Sequence, residues 1–180
     1  MLNKIKLKNT VILYEIEKRQ IKHPRMEFKT GYLRLILPKN YNYSDELLIK
    51  NQDWILKQNN LVNQSKNYKL DYNRDESELK EFISNLIHEY KKLNDLNINN
   101  IFYRKMKRKW GSCDNKNNLK FNKNLKYLPN YLIEYVVFHE ITHLIEFNHN
   151  KNFYYHIQKK YPNYKDLDEE LTIAWFAINI

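Results

Sequence analysis

The chain is poor in the residues that punctuate and cross-link proteins. Of 180 residues, 2 are glycine, 4 are proline and 1 is cysteine. A single cysteine excludes an internal disulfide and suits a reducing compartment. So little glycine and proline excludes a collagen-like or Pro/Gly-rich disordered chain, and no internal repeat is present. No apolar run approaches the ~20 residues of a membrane span. The first residues, Met1-Leu-Asn-Lys-Ile-Lys-Leu-Lys8, are too charged for a signal peptide. The expectation is a cytoplasmic protein with no membrane association. Acidic residues are also in deficit, 21 against 31 Lys and Arg, for a formal net charge of +10. That excess favours an anionic partner or surface without naming one.

Aromatic residues are plentiful, 14% of the chain with 15 Tyr, so a packed core is feasible at this length. Residues 11–17 and 31–37 alternate or run apolar like strands, with 26–29 as a partner before Thr30-Gly31. Ser44-Asp45-Glu46 opens a helix reaching about residue 57, followed by a polar connection over 59–74. Leu79, Phe82, Ile83, Leu86 and Tyr90 recur at helical spacing within 76–93. Residues 98–106 read as a strand, 114–118 as a turn and 119–122 as a returning strand. Helices are expected over 151–160 and about 168–178. Strands first and helices later make an α+β chain. One domain, residues 1–180, is expected, with a strand-rich start over about 1–40.

Between these elements lies His139-Glu140-Ile141-Thr142-His143, followed six residues later by His149. Histidines four apart on a helix stand ~40° apart around the axis and one turn apart along it, so both imidazoles reach one metal ion. The glutamate after the first histidine points off that line, where it can deprotonate a metal-bound water. Leu132, Ile133, Val136 and Val137 precede the pair at helical spacing and bury that helix, with Pro129 near its start. A third ligand at His149 leaves one position of a tetrahedral zinc ion open, as hydrolysis requires. On an unbroken helix His149 would face ~240° away from His143, so the helix has to end between them. Asn148 is the expected left-handed terminating residue, after Phe147. Glu169 and Glu170, downstream, compete with His149 for the third position. The pattern describes a zinc hydrolase, with a peptidase as the leading reading.

The run Met106-Lys-Arg-Lys-Trp110-Gly111-Ser112-Cys113, then H-E-x-x-H-x5-H ending in Asn148-His149-Asn150, then Phe153-Tyr154, resembles the YgjP-like zinc metallopeptidase family, relatives of the SprT-like proteases. The resemblance implies one zinc ion held by His139, His143 and His149, with Glu140 as general base. It also implies a zincin-like fold: amino-terminal strands, a mainly antiparallel sheet packed on the active-site helix, a helical carboxy terminus and a catalytic core over about 75–180. The chain departs from the family where Asn150 and Tyr154 replace a serine and a tryptophan, positions that are not ligands. The spacing also equals that of metzincins, but Glu146 stands where they carry glycine, and no Met-turn follows.

Trp110, Gly111 and Ser112 are candidate substrate-binding residues, as the end of an edge strand that pairs with an extended peptide. Gly111 would permit a close approach, while Trp110 suits a core position equally well. Arg104, Lys105, Lys107, Arg108 and Lys109 form the densest basic cluster and a candidate contact for nucleic acid or another polyanion. On a strand, only alternate members of that cluster would share a surface. Cys113 reads as structural. Tyr154 and Tyr155 are weaker candidates for stabilising a developing oxyanion; His156 could assist near the site, and His23 and His88 have no evident partner. Two other classes stay open: a metal-dependent hydrolase of nucleoside triphosphates, and a nucleic-acid-associated protein with a structural metal.

Overall fold

Alternation of apolar and charged residues builds the first strands. The computed structural model describes residues 2–29, 31–94 and 96–179. Their contacts group into two compact units, Met1–Tyr68 with Thr172–Ile180, and Lys69–Leu171.

In the first unit, β1 (Asn3–Leu7), β2 (Thr10–Arg19), β3 (Arg25–Lys29) and β4 (Tyr32–Pro38) form one sheet in the order β1-β2-β4-β3. Only β2 and β4 are parallel. Leu7, Ile12, Tyr14, Leu33, Leu35 and Leu37 line one face and pack on Leu48 and Ile55. On the other face Arg34 is flanked by Glu15, Glu17 and Glu27. Strand β1 was not expected. Its signal is the alternation of Ile5 and Leu7 with Lys4 and Lys6, a half-buried strand hidden by charge.

The expected helix to residue 57 is corrected to two: α1 (Ser44–Lys50) and α2 (Gln52–Ser65). They are separated at Asn51, whose side-chain amide donates to the Leu47 carbonyl (2.8 Å). Much of the expected polar connection is therefore helical. Leu61, Val62 and Ser65 are buried, the first two against Phe176, a tertiary contact that local polarity conceals.

In the second unit, α3 (Glu76–Asn94) begins with a reciprocal cap. The Glu78 amide donates to Asp75 Oδ1 and the Asp75 amide to Glu78 Oε2, both at 2.8 Å. Leu79, Ile83, Ile87 and Tyr90 form its buried face. Strands β5 (Ile101–Arg104), β6 (Gly111–Cys113) and β7 (Leu119–Asn122) make a second sheet in the order β5-β7-β6. Strand β7 is parallel to β5 and antiparallel to β6, which lies at the edge. Among the described residues, antiparallel pairings lead three to two over both sheets.

Strand β5 stops at Arg104, short of the expected residue 106, and the chain leaves as a loop. The expected alternation of the basic cluster across a strand is thus corrected, because Lys105 to Lys109 have no strand neighbour. A turn with Asn117 in the left-handed region (φ 57°) leads into β7. A 3-10 helix (Lys123–Tyr127) precedes α4 (Asn130–Thr142), which packs on α3 and β6. Helices α5 (Lys151–Lys160) and α6 (Tyr164–Asn179) complete an α+β chain with a helical carboxy terminus. Helix α6 starts four residues before the expected Asp168. Among the described residues, no helix is long and apolar enough to cross a membrane.

Candidate metal centre

Helix α4 carries His139, and His143 at its C-cap, on a rigid support, since Leu132, Ile133, Tyr135, Val136 and Val137 are all buried. It ends sooner than the spacing suggests, at Thr142, with His143 at its C-cap in helical conformation. The expected left-handed terminator at Asn148 is not found. Among the described residues, only Lys8 and Asn117 combine a side chain with positive φ. The helix instead tightens into short turns: Leu144 N–H donates to Ile141 O (2.9 Å), and the amides of Ile145 and Glu146 both donate to Thr142 O (3.0 and 2.9 Å). Such tightening satisfies the terminal carbonyls without a left-handed residue.

Glu146 then organises the return. Its carboxylate accepts from the side-chain amides of Asn150 (3.1 Å) and Asn152 (3.3 Å). Asn150 Oδ1 in turn caps α5 by accepting from the Phe153 amide (2.9 Å). Asn150 thereby does what a serine does at a helix start.

The turn brings His149 back to α4. The ligand nitrogens of His139, His143 and His149 lie within 4.8 Å of one another. His139 Nε2 and His149 Nε2 are 2.9 Å apart, close to the ~3.3 Å separating two nitrogens on a tetrahedral ion with ~2.05 Å bonds. The donor chemistry suits zinc, and among the described residues no fourth protein group joins the three. Glu169 and Glu170, the competing ligands, are not in this group.

Second contacts fix the rings. His143 Nδ1 lies 3.2 Å from the Glu146 carbonyl, which can only accept, so that nitrogen carries the proton and Nε2 is the one left to hold a metal. Fully buried Phe153 touches all three imidazoles, with centroids 4.9, 4.6 and 4.6 Å from those of His139, His143 and His149. Tyr135 meets His139 edge-on and donates its hydroxyl to Asp168 (2.7 Å). Burial, followed by the neighbouring imidazoles, pushes His139 down to about 3. Burial also lowers His143. Both rings are therefore neutral and ready to ligate near pH 7.

Glu140 is 6% exposed, one residue from His139 and facing β6. Burial pushes its carboxyl up to about 8, against the opposing pull of Lys109 and of the Cys113 amide, which donates to it. Gly111 is what makes room. A β-carbon there would stand 2.6 Å from Glu140 Cγ and 2.7 Å from Oε1. The close approach expected at Gly111 is thus to this carboxylate. Ser112 is half-buried, paired with Lys120 across β7. Trp110 is half-buried and donates its indole N–H to the Leu171 carbonyl (3.2 Å). Cys113 is half-buried, and desolvation together with Glu140 and Asp114 raises its thiol to about 11, so it stays protonated.

Of the weaker candidates, Tyr154 packs 6.2 Å from the His149 ring, whereas Tyr155 is exposed and contacts His156. Glu146, Phe153 beneath the imidazoles, and the Tyr135–Asp168 pair went unassigned in the sequence. The one local signal was Phe153 standing four residues after His149, on the first turn of a capped helix.

A model of the YgjP-like metallopeptidase domain matches residues 75–174. No curated protein matches the chain. Among solved structures, the metallopeptidase zymogen abylysin of Pyrococcus abyssi is similar at 16% identity and a TM-score of 0.44, over 49% of this chain and 90% of its own. The zymogen jannalysin of Methanocaldococcus jannaschii is similar at 23% identity and a TM-score of 0.42, over 53% of this chain and 92% of its own.

Proposed function

The chain belongs to the YgjP-like metallopeptidase family, and from that premise we propose that it is a zinc-dependent peptidase binding one ion through His139, His143 and His149, with Glu140 as general base. The observation that supports this best is the convergence of three imidazole nitrogens within 4.8 Å beside one buried carboxylate. Zinc, when bound, supplies a Lewis acid that acidifies water and polarises the scissile carbonyl. Glu140 receives the proton of the attacking water on a carboxylate oxygen and delivers it to the leaving amide nitrogen. The Cys113 amide holds that carboxylate in place. Its elevated proton affinity suits a group that must accept a proton and release it near neutral pH. Phe153 and the Glu146 carbonyl keep the imidazoles fixed while substrate enters.

Trp110, Gly111 and Ser112 present the edge of the sheet to an extended peptide. Alternation leaves the N–H and C=O of Gly111 and the C=O of Cys113 facing away from β7, since Trp110 O accepts from Asn122 N (2.8 Å) and Asp114 N donates to Asn118 O (3.1 Å), while the Cys113 N–H is directed at Glu140. A structural-metal reading lacks support, because a closed zinc site needs a fourth protein ligand. The cytoplasmic setting belongs to the same proposal and is supported by the lone, protonated thiol.

The test is metal analysis of the purified protein together with peptide and nucleoside triphosphate hydrolysis, for wild type and Glu140→Gln. Stoichiometric zinc and peptide cleavage lost in Glu140→Gln are expected. Wild type that binds no zinc, or triphosphate hydrolysis without peptide cleavage, refutes it.

A further inference from the structure

The most basic segment of the chain has no part in that chemistry. Arg104, Lys105, Lys107, Arg108 and Lys109 are all exposed. Among the described residues, Arg104, Lys105, Lys107 and Lys109 form no ion pair. Like charges so close repel one another, yet the segment is held in a defined course.

Fully buried Asn122 holds it. Its side-chain amide donates to the carbonyls of Met106 (3.0 Å) and Lys109 (2.8 Å), and its backbone amide donates to Trp110 O (2.8 Å). The fold thus fixes where the cations lie. They lie at the entrance of the edge strand. Lys109 precedes Gly111 by two residues, a reach of at most ~7 Å, and Gly111 touches Glu140. The charge of Lys109 acts on both Glu140 and His143. A peptide extended along β6, on the side where the Gly111 backbone groups face, runs past Gly111 into these cations.

We propose that this loop is a subsite for carboxylate side chains, so that the protein prefers peptides carrying Asp or Glu on the part of the substrate that passes Lys109. The proposal rests on the peptidase reading for its consequence in catalysis, but not for binding. The cations of the loop span only Arg104 to Lys109, a short patch. Two neighbouring cations on β7 and just beyond it are neutralised, Lys120 by Asp114 (2.7 Å) and Lys123 by Glu76 (2.8 Å). A polynucleotide tracks a continuous basic groove, whereas one or two carboxylates need only such a patch.

Binding is measured by fluorescence anisotropy on the full-length, zinc-loaded Glu140→Gln protein. The probes are an acidic peptide, the same peptide with Gln and Asn in place of Glu and Asp, and a single-stranded oligonucleotide. The acidic peptide is expected to bind about tenfold more tightly than its neutral form at low salt, and the advantage shrinks at high salt. Lys107→Glu with Lys109→Glu abolishes or inverts it. The milder Lys107→Gln with Lys109→Gln reduces it, which guards against misfolding of the reversed pair.

Equal affinity for the two peptides, or an advantage indifferent to both variants, overturns the proposal. Loop-dependent binding of the oligonucleotide without the acidic peptide also overturns it and points to nucleic acid. Wild-type cleavage then separates the two readings. Loop-dependent acidic binding with no peptide cleavage leaves the subsite and removes the peptidase. Equal kcat/KM on acidic and neutral peptides leaves the peptidase and removes the subsite.

Discussion

Gly111 and Glu140 are in such close contact that the strand and the active-site helix leave no volume for a β-carbon between them. That atom would stand 2.6 Å from Glu140 Cγ, 2.7 Å from Oε1 and 2.8 Å from Cδ. The edge of a three-stranded sheet and the proposed general base are therefore one mechanical unit, tied further by the Cys113 amide on the carboxylate. This contact gives the glycine of Trp110-Gly111-Ser112-Cys113 a physical reason: Gly111 seats the proposed base.

Gly111→Ala tests that unit. The methyl group has to displace Glu140, and relief of such overpacking costs about 1–3 kcal/mol. The histidines are untouched, so zinc content is expected to stay stoichiometric. Peptidase kcat/KM is expected to fall about 100-fold or more, because a ~1 Å displacement of a catalytic group has that effect. Retention of full activity by a folded, zinc-loaded Gly111→Ala protein would show that the carboxylate does not need its present position.

The metal-free protein carries two oppositely perturbed groups, so its stability depends on pH with two signs. Glu140 titrates near 4.5 when unfolded and at about 8 when folded; the raised value means its contribution is full at low pH and lost as pH rises through about 8. His139 goes from 6.5 unfolded to about 3 folded; the lowered value means its contribution is present above 6.5 and lost as pH falls. Between pH 4.5 and 6.5 the two slopes oppose, and above 6.5 only that of Glu140 remains. Thermal unfolding of chelator-stripped wild type is expected to show a loss of up to about 2 kcal/mol between pH 6.5 and 8, at ~1.4 kcal/mol per pH unit. Glu140→Gln removes that alkaline slope. A parallel decline in both proteins would assign the slope to other groups.

Much of the site was readable because its determinants are local. His139, Glu140 and His143 are set by one helical turn, and their spacing alone places two imidazoles together. The return of His149 was readable as a condition of its joining the other two histidines, with Glu169 and Glu170 as alternatives for the third position. How the chain returns was not, because the expectation of a left-handed Asn148 drew on terminator statistics, whereas Glu146 closes the turn through Asn150 and Asn152. The same limit explains the fold. The β6–β7 hairpin and α3 follow from local pattern. The parallel pairing of β2 with β4, and the helical course of residues 59–65 on Phe176, depend on partners remote in sequence.

Glu146→Ala separates support from ligation. The substitution leaves the backbone carbonyl that orients His143 but removes the acceptor of Asn150 and Asn152. Loops freed in this way lose ligand preorganisation, and outer contacts of a metal site are worth about 10–100-fold in affinity. Competition with a chromogenic chelator is expected to show zinc binding weakened about tenfold, against near-complete loss for His149→Ala. Equal zinc affinity in Glu146→Ala and wild type would reduce Glu146 to a surface residue.

Asn122→Leu addresses the clamp behind the strand. Leucine matches the volume but leaves the carbonyls of Met106 and Lys109 without their side-chain donor, and the Asn124 amide without its acceptor at 3.1 Å. Each unsatisfied buried group costs about 1–3 kcal/mol. Asn122 is fully buried, so water cannot freely take its place, and a loss of about 2–4 kcal/mol is expected in urea unfolding. Because the segment released runs from Met106 to Trp110, the variant is also expected to lose peptidase activity out of proportion to zinc, which stays bound to histidines on α4 and the loop after it. Asn122→Asp distinguishes the roles: it keeps the acceptor for Asn124 but lacks the donor, so it is expected to release the Met106 and Lys109 carbonyls while sparing the turn at Asn124. A fall in activity with Asn122→Leu but not with Asn122→Asp would place the functional weight on that turn instead of on the basic loop.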